Sequence, residues 1–129
     1  NFYETLDQTI KKNKNKSSMV LIAGDMNATV GKRNNQNCIG KYSKGISNLN
    51  GQYLIDLCES NDLILSNTCF SHKQSHLTTW QQTRTNHQNK IQHTRKVIDY
   101  IMVENQYKHI RTNARTYQGT LTISDHRPL

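Results

Sequence analysis

The chain has 129 residues, a formal net charge of +8 and a hydrophobic share of only 33%, against about 45–50% in an ordinary globular domain. That allows one modest domain, or part of a larger one, with a thin core. It excludes a membrane-spanning helix, because no run of 18 apolar residues occurs. The basic surface favours a polyanion as partner, nucleic acid before anionic membrane.

In chain order, Phe2, Leu6 and Ile10 repeat at helical spacing, with Glu4 and Asp7 near the start, where the helix dipole favours acids. Lys11 to Lys16 reads as a solvated basic loop closing that helix. Met19 to Ala23 is apolar without alternation, which predicts a strand covered on both faces. Gly31 to Gly45 is a polar loop, and "QYLIDLCESND" predicts a helix with Leu54, Leu57 and Cys58 on one face. Leu63-Ile64-Leu65 reads as a short strand continued by Thr68-Cys69-Phe70, and Leu77 to Trp80 as another. Arg84 to Lys96 is polar and basic and reads as an exposed loop. Val97 to Val103 is the second strong apolar strand, and Ile110 to Tyr117 the last, before Ile123-Ser124-Asp125-His126. Strand–helix–strand at the start and strands with few helices later predict a mixed α/β (α+β) fold with antiparallel pairing.

Cys38, Cys58 and Cys69 are widely spaced and form no C-x-x-C pair. This fits reduced thiols without disulfide partners in an intracellular protein, nuclear or cytoplasmic. The amphipathic, polar opening segment predicts no leader peptide. A start without Met and an end on Arg127-Pro128-Leu129 suggest a segment of a longer polypeptide.

Three acids interrupt or end these apolar runs. Asp99 lies between Ile98 and Tyr100, and a buried, unpaired carboxylate would cost several kcal/mol. Its plainer account is a structural pair with Arg95 or Lys96, or alternation of Asp99 onto a solvated face. Asp25 and Asn27 stand two apart at a strand end, so extended backbone would aim both to one side; an Asx-turn is the plainer account. Asp125-His126 closes the set, with a surface turn as its plainer account. Together these supply carboxylates, an amide and an imidazole, an inventory suited to metal-assisted phosphodiester cleavage. Mg²⁺, with Mn²⁺ as the substitute, is the cation expected for oxygen ligands. The stretch from Arg84 to Lys96 either tracks phosphates or is a solvated loop. His72 and His76 stand four apart, but no Cys, Glu or third His arrives with zinc-site spacing.

Leu21-Ile22-Ala23-Gly24-Asp25-Met26-Asn27, Thr79-Trp80, Ile98-Asp99-Tyr100-Ile101 and Ser124-Asp125-His126-Arg127-Pro128 resemble, in order, the motifs of the endonuclease/exonuclease/phosphatase superfamily. "FYETLDQTI", "GDMNATVG" and "NLNGQYLIDLCESNDLILSNTCF" look like the branch of LINE-type retrotransposon endonuclease domains and craniofacial development protein 2-like proteins. The resemblance implies a four-layer α-β-β-α sandwich, of which residues 1–129 would be the carboxy-terminal portion. It implies that Asp25 orients or activates the attacking water, that Asn27 binds that water or a phosphate oxygen, and that Asp99 hydrogen-bonds His126, which meets the scissile phosphate. Asp125 would support the metal. Thr79 would lie at the rim against the phosphate backbone, Trp80 would pack or stack on a base, and Arg84, Arg95 and Lys96 would contact substrate. The implied activity is Mg²⁺-dependent nicking, with DNA expected before RNA, and a fused reverse transcriptase downstream in the parent protein is compatible with it.

Two departures matter. The family's amino-terminal asparagine, metal-binding glutamate and tyrosine have no counterpart here, and Glu4, Glu59 and Glu104 are not placed to replace the glutamate, so impaired activity is expected. Val97 also stands where a basic residue often precedes the isoleucine. The other functions weighed are a phosphatase of the same superfamily acting on inositol or lipid phosphates, and a non-catalytic remnant or basic nucleic-acid binder.

Overall fold

A computed structural model describes residues 1–117 and 124–129. The chain forms α1 (Phe2–Asn13), β1 (Leu21–Asp25), α2 (Leu49–Asn61), β2 (Leu63–Leu65), β3 (Trp80–Thr85), β4 (Ile91–Lys96) and β5 (Asp99–Glu104), with short 3₁₀ turns at Ser66–Thr68, Gln74–His76 and Asn105–Ile110. The fold is mixed α+β, and every strand pair is antiparallel: one sheet ordered β1-β5-β2, and a separate β3-β4 hairpin.

Helix α1 begins with a capping box: the Asn1 side chain accepts from the Tyr3 and Glu4 amides, and Glu4 reaches back. It runs to Asn13, so Lys11 and Lys12 are helical, not loop. Cations in a last turn suit the carbonyl end of the dipole, and Lys11 also pairs with Asp7 at 2.6 Å. In α2 the expected face of Leu54, Leu57 and Cys58 is buried, joined by Ile55 and Asn61.

Register decides which strand residues meet the helices. Ile22 lies opposite Met102, and Leu65 lies opposite Met102 from the other side. That face, with Tyr100 and Leu63, joins Tyr3, Ile10, Leu54 and Cys58 in one core. The opposite face of β1 is open: Leu21 is 57% exposed, and Ala23 is exposed too. The expectation of a strand covered on both faces therefore fails, because β1 is an edge strand with both helices on one side. Among the buried side chains, Cys38 sits against Cys58. The neighbouring Cys58 thiol, then burial, pushes the Cys38 thiol far above its ordinary range, so it is packing and not nucleophile. All three cysteines are free thiols.

Four further expectations are corrected. Thr68-Cys69-Phe70 does not continue β2: the Thr68 hydroxyl donates to Leu65 O at 2.6 Å and turns the chain into a 3₁₀ turn. Leu77 to Thr79 is not strand, since the Thr78 hydroxyl folds back onto Gln74 O and β3 starts only at Trp80. Arg84 to Lys96 is no loop but most of the hairpin, in register from Trp80↔Lys96 to Thr85↔Ile91. Its strands carry almost no apolar alternation because nearly all of their side chains face solvent. Ile110 to Tyr117 is not a strand: Ile110 closes the 3₁₀ turn, and 111–117 is irregular, held at Thr116 by its amide to His76 O and its hydroxyl to Ser75 O. Ile123 lies outside the described residues.

Candidate functional site

Two strand ends and one short segment build the site. Asp25 closes β1 and Asp99 opens β5, and the two are direct cross-strand partners. Antiparallel pairing aims their side chains to one face. Residues 125–127 are delivered there by the hairpin: His126 bridges Trp80, the Gln81 amide donates to Asp125 O, and the Arg127 amide donates to Thr79 O. Arg127 also donates to Ser75 O and to the Gln81 side chain, which locks the segment.

His126 then sits between the two acids. Its Nδ1 is 3.0 Å and 3.2 Å from the Asp99 carboxylate oxygens, and its Nε2 is 3.8 Å from Asp25 Oδ2. One donor atom from each of Asp25, Asp99 and His126 lies within 4.8 Å of the others, the one such cluster among the described residues. Burial works against the imidazolium. The hydrogen bond and charge of Asp99, with Asp25 and Asp125 behind it, outweigh that and hold His126 above its ordinary pKa. Like charges facing each other across a ladder are tolerable when a cation lies between them.

The remaining side chains take different places. Asn27 stands at the lip, exposed, with φ 45°. Its amide donates to Asp25 Oδ1 at 2.7 Å, so the Asx-turn is present and leaves Asp25 Oδ2 toward His126. Asp125 turns away from the cluster and accepts from the Trp80 indole N–H at 2.6 Å. Trp80 stands at the rim, half-buried, with Lys96 Nζ 5.7 Å from its ring centre. Thr79 is fully buried and cannot touch a polymer, contrary to a rim role. Its hydroxyl instead accepts from the Ile98 and Asp99 amides at 2.9 and 3.1 Å, fixing the start of β5. Arg84 and Arg95 are exposed on the hairpin. Asp99 pairs with neither Arg95 nor Lys96 among the described ion pairs. His72 and His76 bond separate partners, Asn113 and Thr116.

Two positioning residues escape a reading of the sequence. Buried Asn67 donates to Asp99 O and accepts from the Ile101 amide, clamping β5. The signal was an amide side chain two residues after Leu63-Ile64-Leu65. Tyr3 donates its hydroxyl to Met26 O at 2.6 Å and pins the turn after Asp25 to α1, for which no local signal exists.

Fold and site together define an α+β domain with an acid–imidazole–acid cluster at the ends of paired strands. The chain is similar to craniofacial development protein 2 of Tragulus javanicus, 32% identical over 128 residues, and to that of Bos taurus, 30% identical over 128 residues. In both cases 99% of this chain is aligned, and it spans about a fifth of the relative's length. This agrees with the craniofacial development protein 2-like part of the resemblance. No protein-family profile matches the chain, and no solved structure matches it. No helix among the described residues is long and apolar enough to cross a membrane.

Proposed function

We propose that the chain carries part of a DNA-nicking, phosphodiester-hydrolysing site of the endonuclease/exonuclease/phosphatase kind, the carboxy-terminal portion of such a domain in a longer intracellular protein. The observation that supports this best is His126 held between Asp25 and Asp99. Asp99 fixes the imidazole through Nδ1 and favours its charged form, so Nε2 points a proton outward on the Asp25 side. There it can donate to a phosphoryl oxygen while charge builds on the phosphorus. Asp25, with Oδ1 already satisfied by the Asn27 amide, has Oδ2 to orient and deprotonate a water. Attack of that water on phosphorus breaks one P–O ester bond, and the leaving oxygen takes up a proton.

The donor set fits a hard divalent ion in part. Mg²⁺ is commonly held by one or two carboxylates, with waters and phosphate oxygens completing the shell. Asp25 Oδ2 is the carboxylate oxygen with room for it, since Asp99 is engaged by His126, and with an ion there Asp25 would orient a water through the metal in place of deprotonating it directly. Asp125 is held by Trp80 and would have to leave it to take part. Bound there, Mg²⁺ or Mn²⁺ would neutralise phosphate charge and acidify a water. Arg84, Arg95 and Lys96 on the exposed hairpin are the proposed backbone contacts, with Trp80 at the rim.

The test is nicking of supercoiled plasmid by the purified protein in Mg²⁺, against chelator, Asp25→Ala and His126→Ala. Loss of nicking in all three is expected. Release of phosphate from an inositol phosphate in place of nicking would favour the phosphatase reading. Salt-sensitive DNA binding that survives Asp25→Ala and chelation, without nicking, would leave a basic nucleic-acid binder.

A further inference from the structure

Between the first turns of α1 and α2 runs a groove of about 440 Å³, lined by Phe2, Tyr3, Tyr53, Asn50, Asp25 and Asn27. Phe2 is 58% exposed and Tyr53 39%, although both are large and aromatic. Their rings flank buried Tyr3: Phe2 stands edge-on to it at 5.2 Å, and Tyr53 is tilted at 5.9 Å. Tyr3 is in turn bonded to Met26 O, and the Asn50 amide donates to Asn27 O at 3.0 Å. A cluster of three rings, the outer two exposed, is thus fastened to the backbone that presents Asp25.

We propose that this groove is a stacking platform for unpaired bases of a nucleic-acid strand, adjoining the Asp25–His126 site. The inference rests on the phosphodiester reading only for where the scissile phosphate lies. Flat π-faces bind any base, because every base has one. The polar part of the lining argues for a base over an apolar protein side chain. The side-chain amides of Asn27 and Asn50 would be covered by an apolar occupant, whereas the edge of a base offers donors and acceptors to them. Asp25 also disfavours a phosphate inside the groove, so the sugar-phosphate backbone would run outside it. The chain's charge of +8 is the right sign for that backbone. A paired duplex hides its base faces, so the platform selects frayed, gapped or single-stranded segments.

Binding of a dye-labelled single-stranded DNA oligonucleotide and of a blunt duplex is measured by anisotropy on the full chain, at fixed salt with chelator. Tyr53→Leu and Phe2→Leu keep apolar bulk and remove the flat ring. Each is expected to weaken single-strand binding about fivefold or more, with duplex binding changed less than about twofold. Tyr53→Phe, which keeps the ring, is expected to bind as the parent does. The proposal is overturned if the Leu variants bind the single strand unchanged, if single strand and duplex weaken equally, or if Tyr53→Phe loses as much as Tyr53→Leu. It is overturned too if the Leu variants change only self-association, which would assign the groove to a second copy. Because the assay needs no cleavage, stacking beside nicking that is indifferent to chelator and to Asp25→Ala removes the nuclease reading and keeps the platform. Nicking with unaffected Leu variants does the reverse.

Discussion

Asp25 and Asp99 face one another as register partners across β1 and β5, and the imidazole of His126 bridges them. The arrangement couples the protonation of one histidine to the join between an edge strand and a central strand.

The sign of that coupling follows from the raised His126 pKa. The pairing stabilises the fold fully below the unfolded value, near 6.5, and the contribution is lost as pH rises through the folded value. Asp99→Asn removes the hydrogen-bonded charge and should move the His126 titration downward, read from its ring proton signals by NMR without divalent ions. An unmoved titration would show that the pair does not form in solution.

Thr79 acts through its hydroxyl, which accepts from two amides at the start of β5. Thr79→Val keeps the shape and strands both donors. A loss of about 1–3 kcal/mol is expected in urea melts, and Thr79→Ser should recover most of it.

Gly51 sets two principles against each other. Alanine is the better helix former by about 1 kcal/mol, but a Cβ at Gly51 in α2 would lie 1.9 Å from Thr29 O. The clash is with backbone in the segment following Asn27, which Asn48 also holds by accepting from the Thr29 and Gly51 amides. Gly51→Ala should therefore destabilise, by about 1–3 kcal/mol or more, and a neutral thermal melt would contradict the close approach.

Glu104 is buried at 2% exposure, accepting from the Val20 amide at 2.9 Å and pairing with Lys14 at 3.1 Å. Burial pushes its carboxyl up, yet Val20, Lys14 and Gln106 together hold it below its ordinary value. A depressed pKa stabilises above the unfolded value and is lost as pH falls through the folded one. Glu104→Gln should cost about 1–3 kcal/mol at neutral pH, with the gap to the parent closing in acid. A gap independent of pH would refute the ion pair.

The hairpin cations should reveal themselves through salt. Replacing Arg84, Arg95 and Lys96 by Gln should flatten the slope of log affinity for DNA against log salt by about 0.7–0.9 for each phosphate contact removed. An unchanged slope would place the polyanion elsewhere on the surface.

The apolar runs Met19–Ala23, Leu63–Leu65 and Val97–Val103, the periodic faces of α1 and α2, and the acids that end or interrupt strands were legible in the order of residues. Each expresses a local preference: a covered strand favours contiguous apolar or β-branched residues, and an amphipathic helix needs a 3.6-residue repeat. Local preference also yielded the Asx-turn at Asp25. It could not yield the β3–β4 hairpin, because side chains solvated on both faces leave no alternation to read, and only backbone pairing between Trp80–Thr85 and Ile91–Lys96 creates the strands. Nor could it show that Leu21 and Ala23 are open, since apolar residues look alike whether a layer covers them or not. Bringing Asp25, Asp99 and His126 together took the β1–β5 register and the Trp80–His126 bridge, contacts that span 74 and 46 positions of the chain. The residue types came from the linear sequence; which of them meet was decided by long-range hydrogen-bond pairing, which no local window contains.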